Sequence, residues 1–444
     1  MSSPQSIQLL LECRWVLPMT DDQPVLEHQA IAIDQGRIID LGPIDQIAPR
    51  YCAETHHRLT EHAVLPGFVN AHNHAGMSLL RGYADDLPLM TWLNEHIWPA
   101  EARFMQGEFV ADGTRLAMAE MIRSGTTTFS DMYLAPEDVV EPIVASGMRA
   151  QLCTPLIDFE IPWSKNFSHG LDKTRALMDQ VASHDTLTLA FGPHAPYTVS
   201  DDSLAMLYKA QQSLGLPIQM HVHETADEIE QERAKTGRRP LSRLASAGLL
   251  GPNFQAVHMT QLDASDMALV AESNTSIIHC PQSNLKLASG MCPVTELRAQ
   301  GTVVGLGTDG ACSNNDLDMF DEMKTAALLA KGISRNAQSL PAMDALAMAT
   351  RESARAIGLG DRVGQLKPGF EADLMAVDLN ALNTLPVHHP ESALVYAVNS
   401  RQVTHVWVKG SPLLSDGRLT RIDEAALMDT VEVRRNEMSK EGTA

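Results

Sequence analysis

The chain has 444 residues, of which 44% are hydrophobic and 20% are charged, a mixture typical of folded globular proteins and not of disordered ones. At this length we expect two or three domains. The 55 acidic residues outnumber 34 Lys and Arg, and the formal charge of -21 argues against binding a nucleic acid or an anionic membrane surface. This charge does not exclude a small neutral ligand, because a single pocket can be shielded from the mean field.

Cysteine usage and the first residues indicate the compartment. The six cysteines lie far apart without a Cys-x-x-Cys pair, which disfavours a disulfide framework or a zinc ribbon. The sequence starts Met-Ser-Ser-Pro-Gln, with no basic patch followed by an apolar stretch. No run approaches the ~20 apolar residues of a membrane span. We therefore predict a cytoplasmic protein.

Both ends of the chain have the pattern of short strands joined by turns. The strand candidates are residues 6–16, 30–41, 372–379 and 403–408. The second alternates around a tight Asp34-Gln35-Gly36 turn, as a β-hairpin does. We predict that the flanks 1–65 and 372–444 meet in one small β-sandwich domain.

Between these flanks, short apolar or β-branched runs alternate with longer helical stretches. The strand candidates are residues 64–72, 126–132, 149–156, 187–193, 218–221, 254–258, 275–279 and 303–309. The helical candidates are residues 108–123, 201–214, 264–273 and 316–330, where apolar residues recur at helical spacing. Eight strand–helix repeats favour a closed (β/α)8 barrel over an open sheet. We therefore predict an α/β protein with a TIM-like barrel over residues 66–371.

The clearest local signal is Pro-Gly-Phe-Val-Asn-Ala-His-Asn-His at 66–74, which closes the first candidate strand. Residues two apart on a strand point the same way, so His72 and His74 can offer imidazoles to one ion. Alone, such a pair is weak evidence, because hydrogen-bonded or surface pairs are common. However, His221, His258 and Asp309 close three further strands, at the end where barrel active sites form. Three of these imidazoles together with the one carboxylate would suit Zn(II) or Fe(II).

This pattern resembles the amidohydrolase superfamily over essentially the whole chain, including the split side domain. In its single-metal deaminase branch, the resemblance implies that His72, His74, His221 and Asp309 are the ligands. Binuclear branches also need a bridging carboxylate, commonly a carbamylated lysine at the end of the fourth strand. Here residues 191–197 read Phe-Gly-Pro-His-Ala-Pro-Tyr, without lysine. We therefore expect one divalent ion per subunit, Zn(II), with Fe(II) as the alternative.

Three residues near the predicted ion are candidates for catalysis. A bound divalent ion lowers the pKa of water towards ~7. Beside it, Asp309 can take the water proton and pass it to a leaving group. Glu224, three residues after His221, can protonate a ring nitrogen, and His258 can orient the attacking oxygen. Without the resemblance, a solvated turn explains Glu224 and a packed ring explains His258.

The segment 76–101 is similar to the 5′-methylthioadenosine/S-adenosylhomocysteine deaminases and their triazine-hydrolase relatives. It contains Gly-Met-Ser-Leu-Leu-Arg-Gly-Tyr-Ala-Asp-Asp-Leu, then Thr-Trp-Leu, then Trp-Pro-Ala-Glu. The resemblance implies that Glu101 holds the ribose hydroxyls, Trp92 covers the 5′ end and His194 donates to a purine nitrogen. Glu224 and Asp309 would also contact the substrate. Alone, Trp92 could be core packing and Glu101 a solvated helix-start acid.

The resemblance implies hydrolytic deamination of an adenine nucleoside. Relatives that accept a homocysteine tail place arginines shortly after a Gly-Met-Arg, but here none follows residues 147–149 until Arg175. A carboxylate desolvated without a cationic partner is penalised by several kcal/mol. We therefore predict 5′-methylthioadenosine as the preferred substrate over S-adenosylhomocysteine and adenosine, with an apolar lining such as Trp163 or Phe159.

Other functions remain as alternatives at this stage. An s-triazine chlorohydrolase or a guanine-type deaminase would use similar metal chemistry, but neither substrate offers a diol for Glu101 to hold. A non-catalytic barrel used as a binding module is less favoured, because such chains typically lose their ligands. We expect a small nucleoside as the partner, no nucleic acid and no membrane. Homo-oligomers are common among such barrels, although no feature of this sequence requires one.

Overall fold

The computed structural model describes residues 3–20 and 25–441, so residues 1–2, 21–24 and 442–444 of the predicted side domain lie outside the described residues. Numbered along the chain, the strands are β1 (Gln5–Val16), β2 (Leu26–Asp34), β3 (Arg37–Pro43), β4 (Tyr51–Pro66), β5 (Phe68–Asn73), β6 (Thr126–Asp131), β7 (Arg149–Leu156), β8 (Leu187–Pro193), β9 (Ile218–Val222), β10 (Phe254–His258), β11 (Ser276–His279), β12 (Val304–Leu306), β13 (Leu374–Asp378), β14 (Val403–Val408), β15 (Ser411–Ser415) and β16 (Arg418–Leu419).

Helices surround and connect these strands. The α-helices are α1 (Ile44–Ile47), α2 (Leu89–Thr91), α3 (Trp98–Phe104), α4 (Glu108–Arg123), α5 (Pro136–Ser146), α6 (Phe167–Ala182), α7 (Asp201–Leu214), α8 (Ala226–Thr236), α9 (Pro240–Ser246), α10 (Ala264–Ser273), α11 (Pro281–Lys286), α12 (Val294–Ala299), α13 (Met319–Ser334), α14 (Ala342–Ala347), α15 (Ser353–Ala356), α16 (Pro390–Tyr396) and α17 (Glu424–Glu441). Short 3-10 turns lie at Ala48–Arg50, Ala75–Leu80, Pro196–Thr198 and Ser400–Gln402, and π-helical turns at Trp92–Ile97 and Met348–Glu352. Within the described residues, no helix combines the length and apolarity needed to cross a bilayer.

The strands β5 to β12 form a parallel eight-stranded sheet in sequential order. Side-chain and backbone bonds join its two edges: Asn70 Nδ2 donates to Thr308 Oγ1 over 2.7 Å, and the Asp309 amide donates to the His72 carbonyl over 3.0 Å. This confirms the predicted barrel. Because parallel strands of a barrel are covered on both faces, their sequences are near-continuous apolar runs, which is why the candidate strands were recognisable.

Several barrel strands differ from the prediction by one residue, and two differ by more, for identifiable reasons. The candidate 64–72 is divided between β4 and β5 at Gly67, where a Cβ would lie 2.1 Å from Cγ2 of Thr127, so only glycine fits. The candidate 303–309 keeps strand geometry only over Val304–Leu306. The chain then leaves the strand, and Asp309 adopts a left-handed backbone with φ of 61°. The second departure lies at a predicted metal ligand.

The two chain ends join in the second sheet, whose strand order is β16-β15-β14-β13-β4-β1-β2-β3. Its centre is β4, which pairs in parallel with β1 and antiparallel with β13. This confirms a side domain built from both termini. The exact domain boundaries at 65/66 and 371/372 stay predictions, since β4 continues to Pro66.

A buried ion cluster connects the barrel to the start of the C-terminal segment. Arg149, at the beginning of β7, is 1% exposed and donates to Asp373 over 2.9 Å and to Glu371. We expect Arg149→Met to destabilise the fold by about 3–5 kcal/mol, because the buried Asp373 loses its cation, while Glu371 keeps Arg362. Urea unfolding measures this. Arg14→Met is the control: its partner Glu61 is 43% exposed, so a loss below about 1 kcal/mol is expected. Equal losses would contradict the assignment.

Candidate active site

Four predicted ligands meet at the C-terminal end of the barrel. His72 and His74 lie at the end of β5, His221 lies in β9, and Asp309 follows β12. One ligand atom from each lies within 4.8 Å of the others. The cluster therefore gathers three nitrogens and one oxygen, the donor set expected for a zinc-type ion.

The orientation of the three imidazoles is fixed by acceptors behind them. Nδ1 of His72 donates to Gln219 Oε1 over 2.7 Å. Nδ1 of His74 donates to the Met132 carbonyl over 2.5 Å. Nδ1 of His221 donates to the His194 carbonyl over 2.6 Å. Since a carbonyl can only accept, each Nε2 presents its lone pair to the centre.

This arrangement tests whether the residues fit a cation. Nε2 of His72 is buried with no hydrogen-bond partner among the described atoms, and Nε2 of His74 and His221 face each other at 3.4 Å. Lone pairs directed at one another in a buried site repel unless a positive charge lies between them. The donor set therefore fits a divalent metal ion.

Asp309 completes the set through one of its two oxygens. Oδ2 accepts hydrogen bonds from Ser283 Oγ over 2.6 Å and Ser313 Oγ over 2.8 Å. Oδ1 accepts from the Gly310 amide and lies 3.1 Å from Nε2 of His74. The two serine hydroxyls therefore hold the carboxylate so that Oδ1 faces the ligand cluster.

The other predicted site residues line one pocket above this cluster. Trp92, Glu101, His194, Glu224 and His258 all contribute to its wall, together with His74, His221 and Asp309. His72 lies beneath it, fully buried. The structure thus brings together the residues predicted to bind the metal, to catalyse or to contact the nucleoside, while their individual roles stay predictions.

Glu224 and His258 face each other, with Nε2 of His258 3.8 Å from Oε2 of Glu224. Burial, and secondly the charge of Asp309, raise the pKa of Glu224 to about 8. A group with such a pKa holds a proton near neutrality and can donate it. Asn284 Nδ2 donates to His258 Nδ1 over 3.0 Å, which leaves Nε2 of His258 to carry its proton into the pocket.

The loop that presents Glu224 is held by a residue that the sequence analysis missed. Glu228, buried in the first turn of α8, accepts the backbone N–H groups of His223 over 3.0 Å and Glu224 over 2.7 Å. His223 adopts a left-handed backbone with φ of 56°, which needs such support. Acidic residues in the first turn of a helix commonly interact with its free N–H groups. The position of Glu228, four residues after Glu224, was therefore the signal by which its role could have been predicted.

Apolar side chains form part of the pocket wall beside the acidic Glu160, and one of the two apolar residues named from the sequence is among them. Phe159 lines the pocket, with its ring centroid 6.2 Å from that of Trp98. The prediction for Trp163 was wrong. Its indole Nε1 donates to Glu137 over 2.6 Å, and Lys173 lies over the ring, so it packs between helices instead. Of the described residues lining the pocket, none is Lys or Arg.

A parallel barrel that carries these donors at its strand ends defines a metal-dependent hydrolase of the (β/α)8 class. Comparison with known proteins gives the particular group. The chain belongs to the amidohydrolase family, whose sequence profile it matches over residues 63–413.

Specific relatives are similar over almost their full length. The chain is 46% identical to the 5-methylthioadenosine/S-adenosylhomocysteine deaminase of Saccharophagus degradans, covering 95% of both chains. It is 42% identical to a solved zinc-bound adenosine deaminase from Xanthomonas campestris, with a TM-score of 0.97, covering 98% of this chain and 100% of that one. An atrazine chlorohydrolase from Arthrobacter aurescens, 20% identical with a TM-score of 0.89 over 96% of this chain and 100% of that one, shares the fold.

Proposed function

We propose that this enzyme hydrolyses the 6-amino group of an adenine nucleoside, with 5′-methylthioadenosine as the preferred substrate, to give 5′-methylthioinosine and ammonia. The observation that carries this proposal is the set of groups that line one pocket. Metal donors, Glu224, Glu101 and apolar side chains such as Phe159 all contribute to its wall. The names of the similar deaminases support the same substrate class.

We propose Zn(II) as the ion, with Fe(II) as the alternative, held by His72, His74, His221 and Asp309. When bound, it supplies Lewis acidity that brings the pKa of water towards ~7. Neutral imidazoles and a carboxylate suit zinc, and the solved relative from Xanthomonas campestris binds zinc.

Proton transfers are assigned to the residues that surround the purine. Asp309 accepts a proton from the water that attacks C6, and Glu224 donates its proton to ring N1, so that the ring does not accumulate negative charge. The C6–N bond then breaks, and ammonia leaves with the proton that Asp309 held. The C6 hydroxyl becomes the carbonyl of the product, and its proton restores the acid form of Glu224. His258 orients the attacking oxygen through its Nε2–H.

Three residues position the nucleoside. Burial lowers the pKa of His194 to about 4, so its neutral ring can donate one hydrogen bond to a purine nitrogen without adding charge. Glu101 accepts hydrogen bonds from the ribose. Trp92 is held by a 2.9 Å hydrogen bond from Nε1 to the Ala84 carbonyl and covers the 5′ side.

The triazine alternative is weaker on this geometry. The likeness to the chlorohydrolase at 20% identity reflects the shared fold only. A carboxylate such as Glu101, half-buried in the pocket wall, needs donors from the ligand, and a ribose supplies two while a chlorotriazine supplies no diol. A guanine-type deaminase is disfavoured for the same reason.

The preference for a neutral 5′ substituent is directly testable. We expect kcat/KM for 5′-methylthioadenosine to exceed that for S-adenosylhomocysteine by about tenfold or more, because none of the described residues that line the pocket is a Lys or Arg that could pair with the amino-acid carboxylate. Ammonia release measures both. 5′-Butylthioadenosine is the control, since it has similar length but no charge.

The three substrates distinguish charge from length as the cause of a low kcat/KM. A low value for S-adenosylhomocysteine alone identifies charge as the cause, and low values for both longer substrates identify length. Equal values for all three contradict the preference. If no adenine nucleoside releases ammonia, the proposed function itself is wrong.

A further inference from the structure

Tyr133 is a pocket residue that the assigned machinery does not use. It follows β6 by two positions, directly after Met132, whose carbonyl accepts the hydrogen bond from His74. Its ring lies 6.2 Å from the ring of His74 and lines the same pocket as Glu101. The backbone that orients a metal ligand therefore also sets the position of Tyr133.

The ring of Tyr133 is seated by close packing. A Cβ on Gly76 would lie 2.5 Å from Cδ1 and 2.6 Å from Cε1 of the ring, so the absence of a side chain at Gly76 makes room for it. Tyr133 is only 6% exposed. A ring held this tightly presents its hydroxyl at a fixed place.

The hydroxyl of Tyr133 faces the Glu101 carboxylate within hydrogen-bonding range but without normal hydrogen-bond geometry. None of the other described atoms gives it a hydrogen bond. A buried hydroxyl left in this state destabilises the fold, and such groups in native proteins generally have a partner from solvent or a ligand. Its place in the pocket wall points to the ligand.

We propose that Tyr133 donates a hydrogen bond to a ribose hydroxyl oxygen of the substrate, and that with Glu101 it forms a clamp specific for a vicinal diol. This inference rests on the proposed function. It adds a residue that selects ribonucleosides over their deoxy counterparts.

The numbers of donors and acceptors explain why the Glu101 carboxylate alone cannot satisfy the hydrogen bonds of a bound diol. Each ribose hydroxyl is both a donor and an acceptor, whereas the carboxylate form of Glu101 only accepts. A diol bound by Glu101 alone would donate both its protons and leave both its oxygens without donors in a buried site. The O–H of Tyr133 supplies one such donor, and its oxygen can still accept.

The test uses the full-length zinc-loaded enzyme and three substrates: 5′-methylthioadenosine and its 2′-deoxy and 3′-deoxy analogues. Tyr133→Phe keeps the ring and removes the hydroxyl. We expect it to lower kcat/KM for 5′-methylthioadenosine by about ten- to a hundredfold, mainly through KM. For the analogue that lacks the contacted hydroxyl, we expect the variant and the unaltered enzyme to have nearly equal kcat/KM.

The control is Tyr208→Phe, which removes the hydroxyl of a tyrosine that is 40% exposed and packs over Gly248. It should change no value. Equal losses on all three substrates would show that the Tyr133 hydroxyl only supports the fold and would overturn the proposal, as would no loss at all. If the unaltered enzyme turns over none of them, the proposed function fails, and the clamp fails with it.

Discussion

Glu224→Gln is expected to lower kcat by about a thousandfold or more while the enzyme keeps its metal. Glutamine has the same shape, so it can keep the 3.3 Å hydrogen bond from Ser289 Oγ. It cannot deliver the proton that ring N1 needs as water adds to C6. Burial holds Glu224 in the protonated form near neutrality, and its Oε2 lies 3.8 Å from Nε2 of His258. Steady-state kinetics and metal analysis of the same sample measure both quantities.

Glu230→Gln provides a matched control for this variant. Glu230 lies on α8, six residues after Glu224, and is exposed to solvent, so the same chemical change there should leave kcat unaltered. If Glu224→Gln retained full activity, the proton donor would have to be another group. If it lost activity together with its metal, Glu224 would instead have a role in holding the ligand cluster.

The barrel was predictable because its strands have a strong signal. Strands β7, β8 and β10 have the bounds predicted for them, as do helices α4, α7 and α10. By contrast, β4 was not predicted as a single long strand. Much of Tyr51–Pro66 is polar and exposed, so its sequence lacks the apolar run by which the barrel strands were identified.

The ligand cluster was predictable because a barrel brings all strand ends to one rim. Supporting contacts were not, because they depend on three-dimensional neighbours. Gln219 reaches across from β9 to His72, 147 residues away in sequence, and Ser283 reaches Asp309 from α11. The failed prediction for Trp163 has the same origin. Sequence placed it in the loop after β7, but a 2.6 Å bond to Glu137 decides which way it faces.

Tyr133 could have been predicted as a pocket residue from its position just after a barrel strand. It lies two residues after the last residue of β6, at the same rim as His221 and Asp309. At the strand ends, only residue types that can bind a metal were predicted to belong to the site. Substrate-binding residues are drawn from the same positions, since the pocket and the ligand cluster share one rim.

Removal of the metal is expected to abolish turnover and also to lower the Tm. An ion that binds only the folded chain stabilises it by RT ln(1 + [L]/Kd), about 4 kcal/mol at roughly 1,000 times Kd. Without the ion, the Nε2 lone pairs of His74 and His221 face each other at 3.4 Å, and that of His72 has no partner among the described atoms. Chelation followed by thermal unfolding, activity and metal analysis measures the effect.

Metal re-addition distinguishes a specific site from a general effect of the chelator. Zn(II) should restore both Tm and activity at one ion per chain, whereas Mg(II) should restore neither, because it prefers oxygen ligands in octahedral geometry and three donors here are imidazoles. In His221→Gln, chelation should shift the Tm much less, since one donor is already lost. A chelated enzyme that kept its activity and Tm would contradict the metal site, because the converging lone pairs of His72, His74 and His221 would then need no cation between them.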